Sequence, residues 1–264
     1  MSDTPWALIL GASSGFGAAA ARSLAKAGMN VIGVHLDRRD TQPLAEQVKA
    51  DVEAAGREAL FFNRNAADDD ARKEILDAVA ARFAQGGGHT VRCLLHSIAF
   101  GTLKPFVAPE PAGRLTRKQF DMTLDVMANS LVYWVQDLVG RELMGRGGRI
   151  WAMTSAGSHR VWGSYGAVSA AKAALESHCR QLALELGPRG ITANALQAGV
   201  TDTPALRKIP GHTEMIERTK ALNPCGRLTE PEDVARALPL LAHPDMGWLT
   251  GNVLRLDGGE DIVG

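Results

Sequence analysis

Tyrosine is scarce in this chain, with two residues in 264, Tyr133 and Tyr165. Any chemistry that needs a phenol must use one of them. Cysteine is scarce too. Cys93, Cys179 and Cys225 are odd in number and far apart, which suggests no disulfide framework and fits a reducing cytoplasm. The paired-histidine and Cys/His spacings of zinc sites are missing, so no metal is expected. Net charge is zero, because 29 Lys and Arg offset 29 Asp and Glu. That leaves no electrostatic case for nucleic acid or for an anionic membrane. No apolar run is long enough to span a bilayer. The opening "MSDTPWALIL" lacks the basic flank and long apolar core of a signal peptide. Repeats and low-complexity linkers are lacking as well. What remains is 45% hydrophobic and 22% charged, the make-up of a soluble globular chain whose length suits one α/β domain over 1–264.

Short apolar runs alternate with helical stretches. "WALIL", "NVIGVHL", "EALFF", "VRCLLHS", "GRIWAMTS", "GITANAL" and "GNVLRL" read as strands. They are continuous rather than alternating in polarity, as strands buried on both faces must be. "AAAARSLAKAG", "TQPLAEQVKADVEAAG" and "DDDARKEILDAVAARFA" read as helices between them. The acidic run Asp68–Asp70 suits a helix N-terminus. This alternation predicts a Rossmann-type, doubly wound parallel sheet of about seven strands with helices on both faces. Ligands of such sheets bind beyond the carboxyl ends of the strands. A long helix is expected from Leu115 to Met144 and another over 165–186. The apolar stretch "LVYWVQDLV" and the second helix would suit pairing in a homodimer or homotetramer.

The first strand runs into "GASSGFG" and then an alanine-rich helix. Gly11, Gly15 and Gly17 allow a tight turn and let a pyrophosphate approach the helix N-terminus, with Ser13, Ser14 and Phe16 in the same turn. A plain turn is the other reading. The second strand ends "VHLDRRD", with His35 where an acid would grip the ribose hydroxyls of NAD. Arg38 and Arg39 follow, and arginines there suit the 2′-phosphate of NADP. A solvated charged turn would look the same. The fourth strand ends "LLHSIAFG", where Ser97, Ala99 and Gly101 allow close approach of a flat ligand or simply close helix–sheet packing. His96 reads as a packing residue.

Lys172 raises a question of spacing. A helical lysine beside a nicotinamide cofactor is usually written Tyr-x-x-x-Lys, yet that count lands on Val168, and the tyrosine is Tyr165. The glycine pattern, the helical lysine and the tail "GNVLRLDGG" resemble the short-chain dehydrogenase/reductase family over essentially the whole chain. "YGAVSAAK" resembles the Tyr-x6-Lys of its enoyl-acyl-carrier-protein reductases, and "HSIAFG" their "HSI" stretch. "GASSGFG", "LTEPEDVA" and "DTPALRKIP" resemble the NADPH-dependent branch called type III, although Ser14 stands where that branch carries arginine. The resemblance implies hydride transfer from NADPH, or from NADH, to an enoyl thioester on acyl carrier protein or coenzyme A. It implies Tyr165, Lys172 and Ser155 as catalytic residues, and Asn129 as a fourth or as helix packing. Ser97, Ile98 and Ala99 would flank the riboses, Asn65 and Ala66 the adenine, and Val200 and Thr203 the carboxamide and a phosphate.

The chemistry supports the displaced tyrosine independently. Positions four and seven before Lys172 lie roughly 40° and 20° from its direction on a helix, and about 4.5 Å apart along the axis. In ketone reduction the carbon receiving hydride carries the oxygen itself. In enoyl thioester reduction the oxygen that gathers charge lies two carbons further on, so a displaced phenol suits it. A helix-start aromatic in the core is the bland reading of Tyr165. The rival functions are a ketoreductase or alcohol dehydrogenase, and a cofactor-binding regulator without catalysis. Residues 204–227, rich in breakers, are expected to form a lid over the substrate.

Overall fold

The computed structural model describes residues 4–86 and 89–263. All seven expected strands form: β1 (Trp6–Leu10), β2 (Asn30–His35), β3 (Ala59–Asn63), β4 (Val91–His96), β5 (Arg149–Ser155), β6 (Thr192–Ala198) and β7 (Val253–Leu256). They make one sheet in the order β3-β2-β1-β4-β5-β6-β7. Every neighbouring pair is parallel. β1, β2 and β6 are buried along their whole length, which is why their sequences are continuous apolar runs.

The helices cover both faces. α1 (Gly15–Lys26) and α2 (Gln42–Ala54) bring Leu24, Val48 and Val52 to one face. α3 (Asp69–Gly86), α5 (Ser130–Gly140) and α6 (Gly166–Leu186) bring Ile75, Val79, Trp134 and Leu175 to the other. Each such aliphatic side chain stabilises the fold by about 1.5–3 kcal/mol when fully buried. Trp134 also satisfies its indole N–H, which donates to the Ala66 carbonyl at 2.7 Å. Asp68 stands just before α3 and accepts the Ala71 amide at 2.8 Å, as a helix cap does.

The long helix differs from expectation. It begins at Arg117, where Thr116 and Gln119 form a capping box, and α4 (Arg117–Leu124) passes into a π-turn at Asp125–Asn129 before α5. It stops at Gly140 rather than Met144. Glu142 takes a left-handed φ of 58°, and the Leu143 carbonyl turns to accept the Val91 amide at the start of β4. The other long helix starts at Gly166, with Tyr165 as its cap. Segment 204–227 contains a 3-10 turn (Leu206–Lys208) and α7 (His212–Leu222). α8 (Pro231–Ala235) and α9 (Leu238–Leu241) then lead to β7. No helix among the described residues is long and apolar enough to cross a membrane.

Candidate active site

The strand order reverses between β1 and β4, and the crevice beyond their carboxyl ends is the place such a sheet offers a ligand. Gly11 has a φ of +89°, and a Cβ there would strike the carbonyl of Ser97 at the end of β4. A Cβ on Gly17 would strike the Gly11 carbonyl in turn. The turn is therefore folded on itself by glycines, and α1 starts at Gly15 with its free amides at the crevice. Ser14 is the N-cap, and its side chain makes no capping hydrogen bond. The amides of Gly11 and Ala12 donate to Val34 at 2.8 and 3.1 Å, which ties the turn to the end of β2.

The next residue after Val34 is His35. Its side chain is nearly buried, and Nδ1 lies 2.8 Å from the carboxylate of Asp37, which is buried as well. The Asp37 backbone is pinned to β3: its amide donates to Asn63 Oδ1 and its carbonyl accepts from Asn63 Nδ2, both at 2.9 Å. Arg38 and Arg39 are exposed, and among the described residues no carboxylate pairs with either. Asn65 is exposed and turns its Oδ1 onto the Ala67 amide, while Ala66 is buried under Trp134.

A cavity of about 420 Å³ opens beyond β4, β5 and β6. Ten residues singled out in the sequence as ligand-facing or catalytic line it: Phe16, Ser97, Ile98, Ala99, Gly101, Ser155, Tyr165, Lys172, Val200 and Thr203. Gly11, Ser13, Ser14, Gly15, Gly17, Arg38, Arg39, Asn65, Ala66 and Asn129 do not. Asn129, the last residue of the π-turn, accepts on its Oδ1 from His178 Nε2 at 3.1 Å, bracing α6. His96 is buried, with Nε2 2.9 Å from Ser130 Oγ, and burial pushes its pKa down to about 3. Tyr133 packs under the guanidinium of Arg72, 5.6 Å from the ring centroid.

Tyr165 enters the cavity over Gly157, where a Cβ would come within 2.6 Å of the phenol ring and 3.2 Å of Ser155 Oγ. Burial raises its pKa, and the neighbouring Ser155 hydroxyl lowers it in part. Ser155 Oγ is itself buried without a hydrogen bond of good geometry. The serine and phenol are thus adjacent and unlocked. Lys172 is 6% exposed, and Nζ donates to the Met153 carbonyl at 2.7 Å. An ammonium carries three donors, so this one bond leaves two for a ligand. Burial lowers its pKa to about 8, against the pull of Glu176, which raises it. The buried Val168 also lines the cavity, where the usual spacing would have placed a phenol.

The rest of the wall is mainly apolar. Leu103, Met127, Ile209, Met215 and Leu222 take part, the last three from segment 204–227. Four charged residues besides Lys172 also line the cavity without having been picked out in the sequence: Arg160, Lys208, Arg218 and Glu260. Glu260 lines the cavity and accepts the Val200 amide at 2.8 Å, and burial raises its pKa. Arg160 lines it too, and pairs at 2.9 Å with Asp261, which also binds His159. The only signal for Glu260 is its place directly after Gly258 and Gly259. No group of three or more metal-ligating side chains occurs among the described residues. The glycine turn, the free amides of α1 and the unused donors of buried Lys172 fit a dinucleotide, with phosphates at the helix and ribose at the lysine.

Comparison with known proteins agrees with this geometry. The family model for enoyl-(acyl carrier protein) reductase matches residues 11–260. The cis-4-hydroxycyclohexanecarboxylate dehydrogenase of Sinomonas cyclohexanicum is 31% identical, over 97% of this chain and 96% of its own. The 1-cyclohexenylcarbonyl-CoA reductase of Streptomyces collinus is 29% identical, over 97% of this chain and 86% of its own. A short-chain dehydrogenase/reductase from Serratia marcescens superposes with a TM-score of 0.82 at 27% identity, covering 98% of each chain. A parallel sheet with a glycine turn at its switch point, a buried lysine beside a phenol, and relatives matched from end to end lead to one conclusion: the chain belongs to the short-chain dehydrogenase/reductase family of NAD(P)H-dependent oxidoreductases.

Proposed function

We propose that this oxidoreductase reduces the carbon–carbon double bond of a trans-2-enoyl thioester, with NADPH as the favoured cofactor. The observation that carries the reading is Tyr165, the tyrosine lining the cavity, displaced along the chain from Lys172 with Val168 in the nearer place. NADPH, when bound, supplies the hydride that goes to the β-carbon. The chain's own residues do the rest. The turn Gly11–Gly17 holds the pyrophosphate, Arg38 and Arg39 face the 2′-phosphate, and Lys172 holds the ribose with its two unused donors. Tyr165 donates to the thioester oxygen as charge gathers there, where a hydrogen bond counts most. The ammonium of Lys172 favours the loss of the phenol proton, and the apolar wall excludes water. Asn129 acts through His178, by holding α6 in place.

The matched family model and the named Streptomyces relative, whose substrate name is that of an unsaturated coenzyme A thioester, support this reading. The carrier is acyl carrier protein or coenzyme A, and the setting is fatty-acid-like metabolism in the cytoplasm, in keeping with three free thiols. A homodimer or homotetramer would pair the outer faces of α5 and α6. Carbonyl reduction is the second reading. It is favoured by Ser155 beside Tyr165 and by the Sinomonas relative, which its name makes a dehydrogenase of a hydroxy acid.

The test is turnover of wild type and Tyr165→Phe with a trans-2-enoyl thioester, and of wild type with a 3-ketoacyl thioester. Losing one transition-state hydrogen bond costs on the order of 2.7–4 kcal/mol, or roughly a hundredfold to a thousandfold in turnover. Brisk ketone reduction without enoyl reduction would overturn the proposal. An undiminished Tyr165→Phe enzyme would overturn the role of the phenol.

A further inference from the structure

We propose that Lys208 and Arg218 bind a negative charge carried by the substrate's own acyl group, so that the enzyme takes acyl thioesters whose far end is a carboxylate. The inference rests on the proposed function in one respect, that an acyl thioester occupies this cavity. It does not depend on which bond receives the hydride.

The inner face of α7 carries the argument. Met215, Arg218, Thr219 and Leu222 follow the i, i+3, i+4, i+7 spacing of a single helix face, and all four line the cavity. Three of them are neutral. Arg218 interrupts the stripe with a permanent positive charge and a fork of donors. Lys208 reaches the same cavity from the 3-10 turn, between Leu206 and Ile209, which line it too. Segment 204–227 holds five lysines and arginines. Three have carboxylate partners: Arg207 with Asp202 at 2.8 Å, Lys220 with Glu217 at 3.3 Å and Arg227 with Asp233 at 2.6 Å. None of those three lines the cavity. The two that do, Lys208 and Arg218, have no hydrogen-bond or ion-pair partner for their side chains among the described residues. A charge that breaks an apolar pattern with no structural return marks a functional place.

The other charges of the cavity wall do not answer these two. Glu260 accepts the Val200 amide, and the charges that act on it are Asp257, Arg160 and Asp261. Arg160 is itself paired with Asp261. The complementary anion must therefore arrive with the ligand. A carboxylate matches a guanidinium with two parallel hydrogen bonds, and an ammonium supplies a further donor. Lys208 and Arg218 stand among Leu206, Ile209, Met215 and Leu222, so the anion they suit sits at the end of an apolar chain. The phosphate of a pantetheine carrier is the other anion such a substrate brings. It lies beyond a long polar arm of amides, which apolar side chains accommodate poorly.

The experiment is calorimetric titration of the whole protein, in the presence of NADP+, with saturated thioesters of N-acetylcysteamine. These probes carry no phosphate and no double bond to reduce. The acyl groups are adipoyl, suberoyl and sebacoyl, each with its far carboxylate free and, for comparison, as the methyl ester. At least one free acid should bind about tenfold or more tightly than its ester, as a charged hydrogen bond provides. Added salt should narrow that gap. Lys208→Gln combined with Arg218→Gln should abolish the acid-to-ester ratio, whereas Lys220→Gln, which replaces a cation outside the cavity, should keep it. Equal binding of acid and ester at every length, or a ratio that survives in the double variant, would overturn the proposal. So would a coenzyme A thioester of a neutral acyl group whose advantage over its N-acetylcysteamine counterpart vanishes in the double variant, because the cations would then read the carrier's phosphates. Arg218→Gln alone replaces an exposed side chain and serves should the double variant fold poorly; it should reduce the ratio, and an unchanged ratio would overturn the proposal as well. None of these titrations needs turnover, so a failed enoyl assay bears on the reaction and leaves them intact.

Discussion

Replacing Lys172 by methionine should make the protein more stable while removing its grip on the cofactor. The ammonium is 6% exposed and its pKa falls from 10.5 to about 8, chiefly through burial. At 1.36 kcal/mol per pKa unit, keeping the charge in that place costs about 3 kcal/mol at pH 7. Methionine has a similar shape and fills irregular gaps well. It gives up the hydrogen bond to the Met153 carbonyl, a loss of about 1 kcal/mol. The balance is a gain of about 2 kcal/mol, or about 4–8 °C in Tm for a domain of this size. The pH dependence has a definite sign. The folded-state pKa lies below the unfolded one, so the unfolded chain binds more protons between them. Wild-type stability therefore rises with pH from about 8 to about 10.5. The advantage of Lys172→Met should shrink over that window. Urea unfolding of both proteins at pH 7 and near pH 10 measures this, alongside NADP+ titration. A less stable variant at pH 7, or an advantage that ignores pH, would refute the account of a strained buried charge. Unchanged NADP+ affinity would refute the ribose role.

Three further outcomes follow from the same geometry. Gly17→Ala sets a methyl against the Gly11 carbonyl; it should cost about 1–3 kcal/mol and weaken both cofactors, and a thermal shift with added NADP+ equal to that of wild type would contradict it. Replacing Arg38 and Arg39 together by alanine should weaken NADP+ at least tenfold more than NAD+ in direct titration; equal losses would mean that neither arginine meets the 2′-phosphate. Asn129→Ala breaks the 3.1 Å bond to His178 and should lower unfolding stability by about 0.5–1.5 kcal/mol, which chemical denaturation can resolve; no loss would leave Asn129 without a bracing role.

Much of this architecture was legible in the residues because it obeys local rules. Strands buried on both faces must be apolar throughout, so all seven could be found. Gly11 and Gly17 stand where backbone meets backbone, and that demand leaves glycine in the sequence. Ser97, Ser155 and Tyr165 were widely separated letters that the parallel order brings to one cavity. The π-turn at Asp125–Asn129 was illegible for the opposite reason: its residues continue the apolar period and include no breaker. The His35–Asp37 pair was hidden in a run of charge, where the arginines drew the eye. Its formation depends on Asn63 pinning the loop from another strand. Glu260 follows two glycines with no pattern around it, and reaches the cavity only because β7 runs parallel beside β6 and delivers it to the end where Val200 stands.

The π-turn also acts as a rotational spacer. A surplus residue in a helix turns everything beyond it by about 100°. Here that angle sets which side of α4 meets the 97–102 loop. Thr123 accepts the Thr102 amide at 3.0 Å, and a Cβ on Gly101 would press against both Thr123 and Met127. Removing one residue from 125–129 would shorten the helix by little more than an ångström. It would nonetheless swing Thr123 off the loop that carries Ser97, Ile98 and Ala99. The wall of the cavity is thus held in phase by a single residue of excess length, and its dimensions depend on the angular bookkeeping of a helix whose own side chains scarcely enter it.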